Sequence, residues 1–383
     1  MSIFSKIILA YSNKLTNKFC GVVHMPATGK KKGVVLISYI TEPFTKTPWE
    51  PLSNIHTNYW ECYETARLFS MRGYAVDIIN WDNHAFIPKK QYRVCIDIQN
   101  NLEHLSQFLS KNCKKVFHIV SASPDFQNTA EKNRLEELKK RKGVVIYPHR
   151  PAATSKNLLY ADLLEGFGNK TVRATYTATN KPIFPIPIST VQLFDFSEHK
   201  DFNAARKHFL WFGGGGAILK GLDLVLEAFA NNPALHLHVC GPVEAEKDFV
   251  DAYKKELYET PNIHLYGRVD VTGEVFKKLV DTCGALVYPA FSEGTSGAVV
   301  QTMHAGIIPI ITPETGIAEE AGAIIINNPT VDSISEMITS VSIRPPEELE
   351  SIARNTWIYA QAHYTREKFS EAYARFIDDI LHL

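Results

Sequence analysis

Trp211-Phe212-Gly213-Gly214-Gly215-Gly216-Ala217-Ile218-Leu219-Lys220-Gly221-Leu222-Asp223 is the stretch on which the reading of this chain turns. The apolar run 208–212 ends in four glycines, and Lys220 opens an apolar-periodic segment. That order predicts a strand, a tight loop and a helix over about 221–230. Glycines let backbone amides approach a ligand and form anion-binding nests. A helix N-terminus adds roughly half a positive charge, and Lys220 adds a full one. The combination suits a diphosphate, although neither the P-loop nor the dinucleotide spacing is present. Taken alone, it reads equally well as a flexible loop with a solvated lysine.

A second turn of the same kind follows. Pro289-Ala290-Phe291-Ser292-Glu293-Gly294-Thr295-Ser296-Gly297 leaves an apolar run and feeds a helix over 298–305. Thr295, Ser296 and the following amides form a helix start able to cap phosphate. The Glu293 carboxylate is placed to accept hydrogen bonds from sugar hydroxyls. The plain alternative makes Ser296 an N-cap and Glu293 a dipole partner.

Outward from these turns, strand and helix patterns alternate. Gly33-Val34-Val35-Leu36-Ile37-Ser38-Tyr39-Ile40 is an unbroken apolar run, as expected of a strand buried on both faces. Strands are expected at 75–79, 92–98, 116–120 and 144–147, with helices over 59–71 and 101–109 and an exposed charged helix over 128–142. Periodicity fades between 182 and 207, where Pro182, Pro185 and Pro187 precede a charged stretch, and this reads as an interdomain connection. Strands then return at 235–240, 263–266, 285–288 and 308–312, and a last helix covers 366–381. Repeated βα units imply parallel, doubly wound sheets with ligands at the strands' C-terminal edge.

The length of 383 residues, at roughly 150 per domain, predicts two or three domains. Apolar residues are 45% and charged residues 21%, which excludes collagen-like, disordered and disulfide-scaffold chains. Forty-one basic residues balance forty-one acidic ones, so no global field recruits nucleic acid. Six cysteines form no Cys-x-x-Cys pair and read as small buried hydrophobes of a cytoplasmic protein. No apolar run reaches the ~18 residues that a bilayer span needs. Near the N-terminus, Ile3, Phe4, Ile7, Ile8, Tyr11 and Leu15 recur at helical spacing with Lys6, Lys14 and Lys18 between them. This segment suits either an anionic membrane surface or packing on its own domain.

As a set, these residues resemble the family 4 (group 1) glycosyltransferases, which have the two-domain GT-B fold. Lys220-Gly221 and the helix after it are similar to the family's lysine-glycine element, and Ser292-Glu293-Gly294 to its Ser-Glu-Gly turn. Ala305-Gly306-Ile307-Ile308-Pro309 is similar to its Ala-Gly-x-x-Pro ending, and His238-Val239-Cys240-Gly241-Pro242 to its strand followed by Gly-Pro. The resemblance covers about 209–326; the first half is similar only in its alternating pattern. It implies an α/β fold of two Rossmann-like domains facing across a cleft. The expected boundaries are an acceptor-binding domain over 1–195, a nucleotide-sugar domain over 208–362, and a helix over 363–383 packing back on the first.

The implied activity is transfer of a sugar from a nucleotide-sugar to a saccharide or lipid-linked acceptor hydroxyl, with retention, in surface polysaccharide or glycolipid synthesis. The resemblance makes Lys220 and Glu293 the catalytic pair, with the diphosphate held by amides at Gly214, Gly215, Ser296 and Gly297 beside Thr295. It places Gln301 at the ribose, and Glu314 near the donor. Two departures stand out. Gln301 replaces the second glutamate of the Glu-x7-Glu motif, and Gly215 stands where an arginine usually precedes the lysine by five residues. Losing that cation is worth one to two orders of magnitude in donor affinity at about 1.5–3 kcal/mol per charged bond; Arg268 is a candidate replacement.

No Asp-x-Asp triplet occurs, so no metal or other cofactor is expected. His118 and His149 are acceptor-side candidates, the His149-Arg150 pair being placed to meet either acceptor or phosphate, and the loop 38–58 carries Phe44 and Trp49 for sugar stacking. His236 and His238 share one strand face and read as satisfied histidines rather than ligands. Two other functions compete: an epimerase-like enzyme, which needs an acid/base pair in the cleft, and a non-catalytic nucleotide-sugar-binding subunit.

Overall fold

The computed structural model describes residues 3–51 and 56–382. Two sheets organise the chain. The first comprises β1 (Val22–Met25), β2 (Gly33–Tyr39), β3 (Tyr74–Asn80), β4 (Val94–Asp97), β5 (Lys114–Ile119), β6 (Leu163–Gly166) and β7 (Ile183–Pro185). Their order is β1-β3-β2-β4-β5-β6-β7, and among these pairs only β1 with β3 is antiparallel. The second comprises β8 (His208–Phe212), β9 (His236–Cys240), β10 (Ile263–Gly267), β11 (Ala285–Tyr288), β12 (Ile308–Ile311) and β13 (Ile324–Ile325). It is wholly parallel, in the order β10-β9-β8-β11-β12-β13.

The apolar runs explain the sheets. Val35, Leu36 and Ile37 of β2 are fully buried, as are Phe209, Leu210 and Trp211 of β8. A strand covered on both faces has no polar side to alternate with. In the second sheet the chain leaves β8 toward β9 on one side and returns to β11 on the other. That reversal opens a crevice at the strands' C-terminal ends, where a doubly wound sheet holds its ligand. Both glycine-rich turns lie there.

The helix Pro346–His363 packs on β12 in the second half, and the chain then crosses over. The helix Arg366–His382 lies against the helix Asn58–Met71 of the first half. Ser370 donates to Glu64 (2.7 Å), Arg72 pairs with Asp378 (2.5 Å), and Tyr373 donates to Glu165 (2.8 Å).

Three sequence expectations are corrected. Val144–Tyr147 is not a strand: Val145 and Tyr147 are exposed, and the position beside β5 belongs to β6. The charged helix is not an exposed one. It runs Pro124–Lys142 and buries Gln127, Glu131, Arg134 and Leu138; Gln127 and Glu131 hold the 149–150 backbone of its own half, while Arg134 turns to the other. Arg134 and Arg141 each reach Asp223 at 2.6 Å, and Lys142 reaches Glu256 at 2.6 Å. Burial raises the Asp223 pKa while the two guanidiniums pull against it. The helix expected over 101–109 is shortened to Leu102–Ser106.

Candidate functional site

Lys220 is held by its backbone. Phe291 N–H donates to Leu219 O (2.9 Å), and the Trp211 indole donates to Lys220 O (3.4 Å). Gly221 follows with φ +69° in a space where a Cβ would lie 2.5 Å from Pro289 O. Only glycine makes that turn, so the lysine loop and the 289–297 turn lock together. The consequence is a buried ion pair: Lys220 Nζ lies 3.1 Å from Glu293 Oε1, and Tyr288 donates its hydroxyl to the same oxygen at 2.9 Å. Burial pushes the Glu293 carboxyl up. Lys220, Arg150 and the Tyr288 hydroxyl outweigh that, so its pKa lies below the ordinary value and it is ionised.

The glycine loop is partly filled from within. Glu246, itself buried, accepts the Gly216 amide at 2.5 Å with Oε1 and the Ala217 amide at 3.1 Å with Oε2. The Gly214 and Gly215 amides make no bond among the described residues. Sequence reading missed Glu246, because it lies thirty residues away and is brought in only by the packing of the helical turn after β9.

The second turn departs from expectation in detail. Thr295 Oγ1 accepts the Gly168 amide (3.0 Å) and donates to Gly316 O (3.3 Å), so this hydroxyl bridges the two halves instead of capping phosphate. The Ser296 amide is committed to Thr315 O (2.9 Å). Gly297 opens the helix Gly297–His304, whose first amides receive no cap from the Ser296 side chain. Its N-terminus is therefore open to an anion. Gln301 bonds the interdomain segment. Its carbonyl oxygen accepts from Thr190 Oγ1 (3.1 Å) and the Gln192 amide (3.2 Å), and its nitrogen donates to Gln192 O (2.8 Å). The interdomain segment crosses there and uses both ends of the side chain.

Glu314 is half-buried in the short turn Pro313–Thr315, where burial raises its pKa. Arg268 is exposed just past β10, and its charge, with those of Lys220 and Arg150, acts on His56. Removal of water by the cleft walls, then these three cations, lowers the His56 pKa. His56 escaped the sequence reading because it lies in an aperiodic loop. Residues 52–55 of the expected sugar-stacking loop lie outside the described residues. Within the described part, Phe44 is buried against Tyr63 and has no face to offer a sugar, whereas Trp49 is exposed.

The acceptor-side histidines are placed differently. His118 is buried, and its Nδ1 meets Glu165 at 2.8 Å beneath Tyr39 and Phe167. It is a core residue, because β6 supplies a buried carboxylate that needs a partner. His149 Nε2 lies 2.7 Å from Asp248, a contact between the halves. His208, His236, His238 and His264 line one face of the second sheet and bond one another at 3.1–3.2 Å. Among the described residues no three His, Cys, Asp or Glu side chains gather to hold a metal ion. All six cysteines are free, and only Cys20 is exposed.

Residues 197–357 match the family described as glycosyl transferases group 1. No curated protein sequence matches the chain. Three solved structures illustrate its shape. The N-terminal domain of Candida albicans trehalose-6-phosphate phosphatase is 11% identical with TM-score 0.60, over 94% of this chain and 99% of that one. Anabaena HepE in complex with UDP and glucose is 11% identical with TM-score 0.56, over 91% and 99%. The trehalose 6-phosphate synthase of Burkholderia multivorans is 12% identical with TM-score 0.53, over 76% and 71%. At such identities the likeness is one of fold. Residues 197–357 are thus similar to the group 1 glycosyltransferases, and the chain as a whole has the two-domain GT-B fold.

Proposed function

We propose that the chain moves a sugar from a nucleotide-sugar to a hydroxyl of a saccharide or lipid-linked acceptor, with retention and without a divalent metal, in the building of a surface polysaccharide or glycolipid. The observation that carries this reading is the buried Lys220–Glu293 pair at 3.1 Å, set between a glycine turn whose Gly214 and Gly215 amides make no bond among the described residues and an uncapped helix. Lys220 neutralises the diphosphate as the bond to the sugar breaks, and a preorganised cation in a water-poor cleft is the strongest stabiliser of such a leaving group. The Gly214 and Gly215 amides and the start of Gly297–His304 take further phosphate oxygens. Glu293, ionised and aimed by Tyr288, accepts the donor sugar's hydroxyls, and Arg268 sits at the mouth. The first half presents the acceptor. The UDP and glucose named with the HepE structure support a nucleotide-sugar as donor.

The N-terminal helix supports a working position on a membrane. Ile3–Cys20 has no acidic residue. Asn13 buries itself, donating to His24 O and Phe44 O at 3.0 Å. Phe4, Ile8, Tyr11, Leu15 and Phe19 stay exposed along one stripe, with Lys14 and Lys18 beside the aromatic rings. A helix that docks by its polar residue and presents its apolar face suits the headgroup region of an anionic bilayer. No described helix is long and apolar enough to cross one.

Calorimetric titration with a panel of nucleoside diphosphates tests the donor site. Binding of one base in preference to the others, with transfer undiminished by chelator, is the expected outcome. Absence of binding across the panel ends the reading. For the helix, Leu15→Glu is expected to abolish co-flotation with vesicles containing phosphatidylserine.

A further inference from the structure

We propose that Arg150, carried by the first half of the chain, is the second cation of the diphosphate site, so that tight diphosphate binding requires the two halves to close on each other. This rests on the reading of the cleft as a nucleotide-sugar site. A nucleoside diphosphate brings more than one negative charge, yet the Lys220 ammonium is already matched by Glu293. A site holding that ligand needs a cation without a carboxylate of its own.

Arg150 is such a cation, and the fold goes to some length to put it there. Its backbone is clamped by the helix Pro124–Lys142: Arg150 N–H donates to Glu131 at 2.9 Å, and Gln127 donates to Arg150 O at 2.7 Å. The preceding residue ties the same loop across the gap through His149 and Asp248. The side chain then lies over the glycine loop. A Cβ built on Gly216 would stand 2.3 Å from Arg150 Cγ, and the φ of +91° there already favours glycine. The Arg150 stem thus occupies the space that a side chain at 216 would need. Its guanidinium is exposed and forms no ion pair among the described residues. An arginine with a purely structural role would be expected to use its five donors on neighbours. The field of Arg150 also reaches Glu293 and Tyr288, which flank the Lys220 ammonium, and His56.

The consequence is a split site. Lys220 belongs to the second half and Arg150 to the first, and a diphosphate between them links both. Opening the cleft removes one cation and leaves the other paired with Glu293, which weakens the grip on the product.

The test compares Arg150→Ala, Arg150→Lys and Gly216→Ala with wild type, using inorganic pyrophosphate and the nucleoside diphosphate selected by the panel, and the bare nucleoside as reference. Loss of one charged contact is expected to weaken pyrophosphate and diphosphate about 10- to 100-fold. Nucleoside binding should stay within about threefold of wild type, since it makes no ionic contact. Arg150→Lys should recover part of the loss, and Gly216→Ala should reproduce it by displacing the arginine. Small-angle scattering should show the wild type compacting on diphosphate and Arg150→Ala failing to do so, a readout that a stability defect does not mimic. Arg375→Ala, an exposed cation on the C-terminal helix, should leave all affinities unchanged. Arg150→Ala binding both anions as wild type does, while Lys220→Ala loses them, overturns the proposal. A wild type that binds the nucleoside but no diphosphate overturns it as well, and with it the donor-site reading.

Discussion

Replacing Glu293 by glutamine should tighten the binding of a free nucleoside diphosphate while slowing sugar transfer. The substitution removes a charge and keeps the side chain's shape. In the folded protein that charge lies 3.1 Å from Lys220 Nζ, so the carboxylate and a phosphate compete for one ammonium. A phosphate oxygen on the far side of Nζ stands ~6 Å from Glu293. At an effective dielectric near 20, two unit charges at that distance repel by about 3 kcal/mol. Water in the open cleft screens part of this, which leaves a gain in affinity of about 10- to 50-fold. Transfer should fall nonetheless, because a neutral amide accepts the donor sugar's hydroxyls more weakly than a carboxylate. Calorimetry with the sugar-free diphosphate, beside initial rates of transfer, reads both effects. A misfolded variant weakens both, so the opposite movement of the two is diagnostic. Unchanged or weaker diphosphate binding by Glu293→Gln would mean that the carboxylate does not oppose the phosphate.

Three further outcomes are expected. Lys220→Ala should lower transfer by about 10²–10³-fold with an unchanged circular dichroism spectrum; near-wild-type rates remove Lys220 from the mechanism. Asp223→Ala should destabilise the protein by about 3 kcal/mol in urea unfolding, because Arg134, deep in the interface, loses its buried carboxylate and keeps only the exposed Glu137; a loss below about 1 kcal/mol says the interface relaxes. The histidine face should make stability fall in mild acid. Burial and then His264, His208 and His236 lower the His238 pKa from 6.5 to about 3. Its contribution is therefore present above the unfolded value of 6.5 and is lost as pH falls through the window between the two. At pH 5 the loss from His238 alone is about 2 kcal/mol, and the pH-dependence of the melting temperature should flatten in His238→Phe. An equally steep fall in that variant places the titration elsewhere.

The two sheets and the two glycine-rich turns were legible because each rests on local chemistry. Val34 to Ile37 and Phe209 to Phe212 have no polar side, and a segment without one is stable only inside a parallel sheet. Lys220 and Glu293 follow their strands directly, so strand order alone brings them to one edge. The misreading of Val144-Val145-Ile146-Tyr147 shows where such chemistry stops. Those residues favour a strand as strongly as any in the chain, but strand propensity is a measure of fit to a half-buried surface. That surface is taken by Leu163–Gly166, whose Glu165 is stabilised by His118 and by Tyr373, 208 residues further on.

Tertiary structure alone decided who meets whom across the cleft. Sequence placed a lysine, a glutamate and a row of glycines at the strand ends. It gave no sign that Glu246 fills part of the glycine nest or that Gln301 is consumed by the crossing segment, and it left Arg150 open between acceptor and phosphate until the packed chain laid it over the glycine loop. The reason is one of range. Patterns along the chain report interactions within a few residues, such as a helix turn, a cap or a buried run. Charges brought together from remote segments interact through distances that only the packed chain defines.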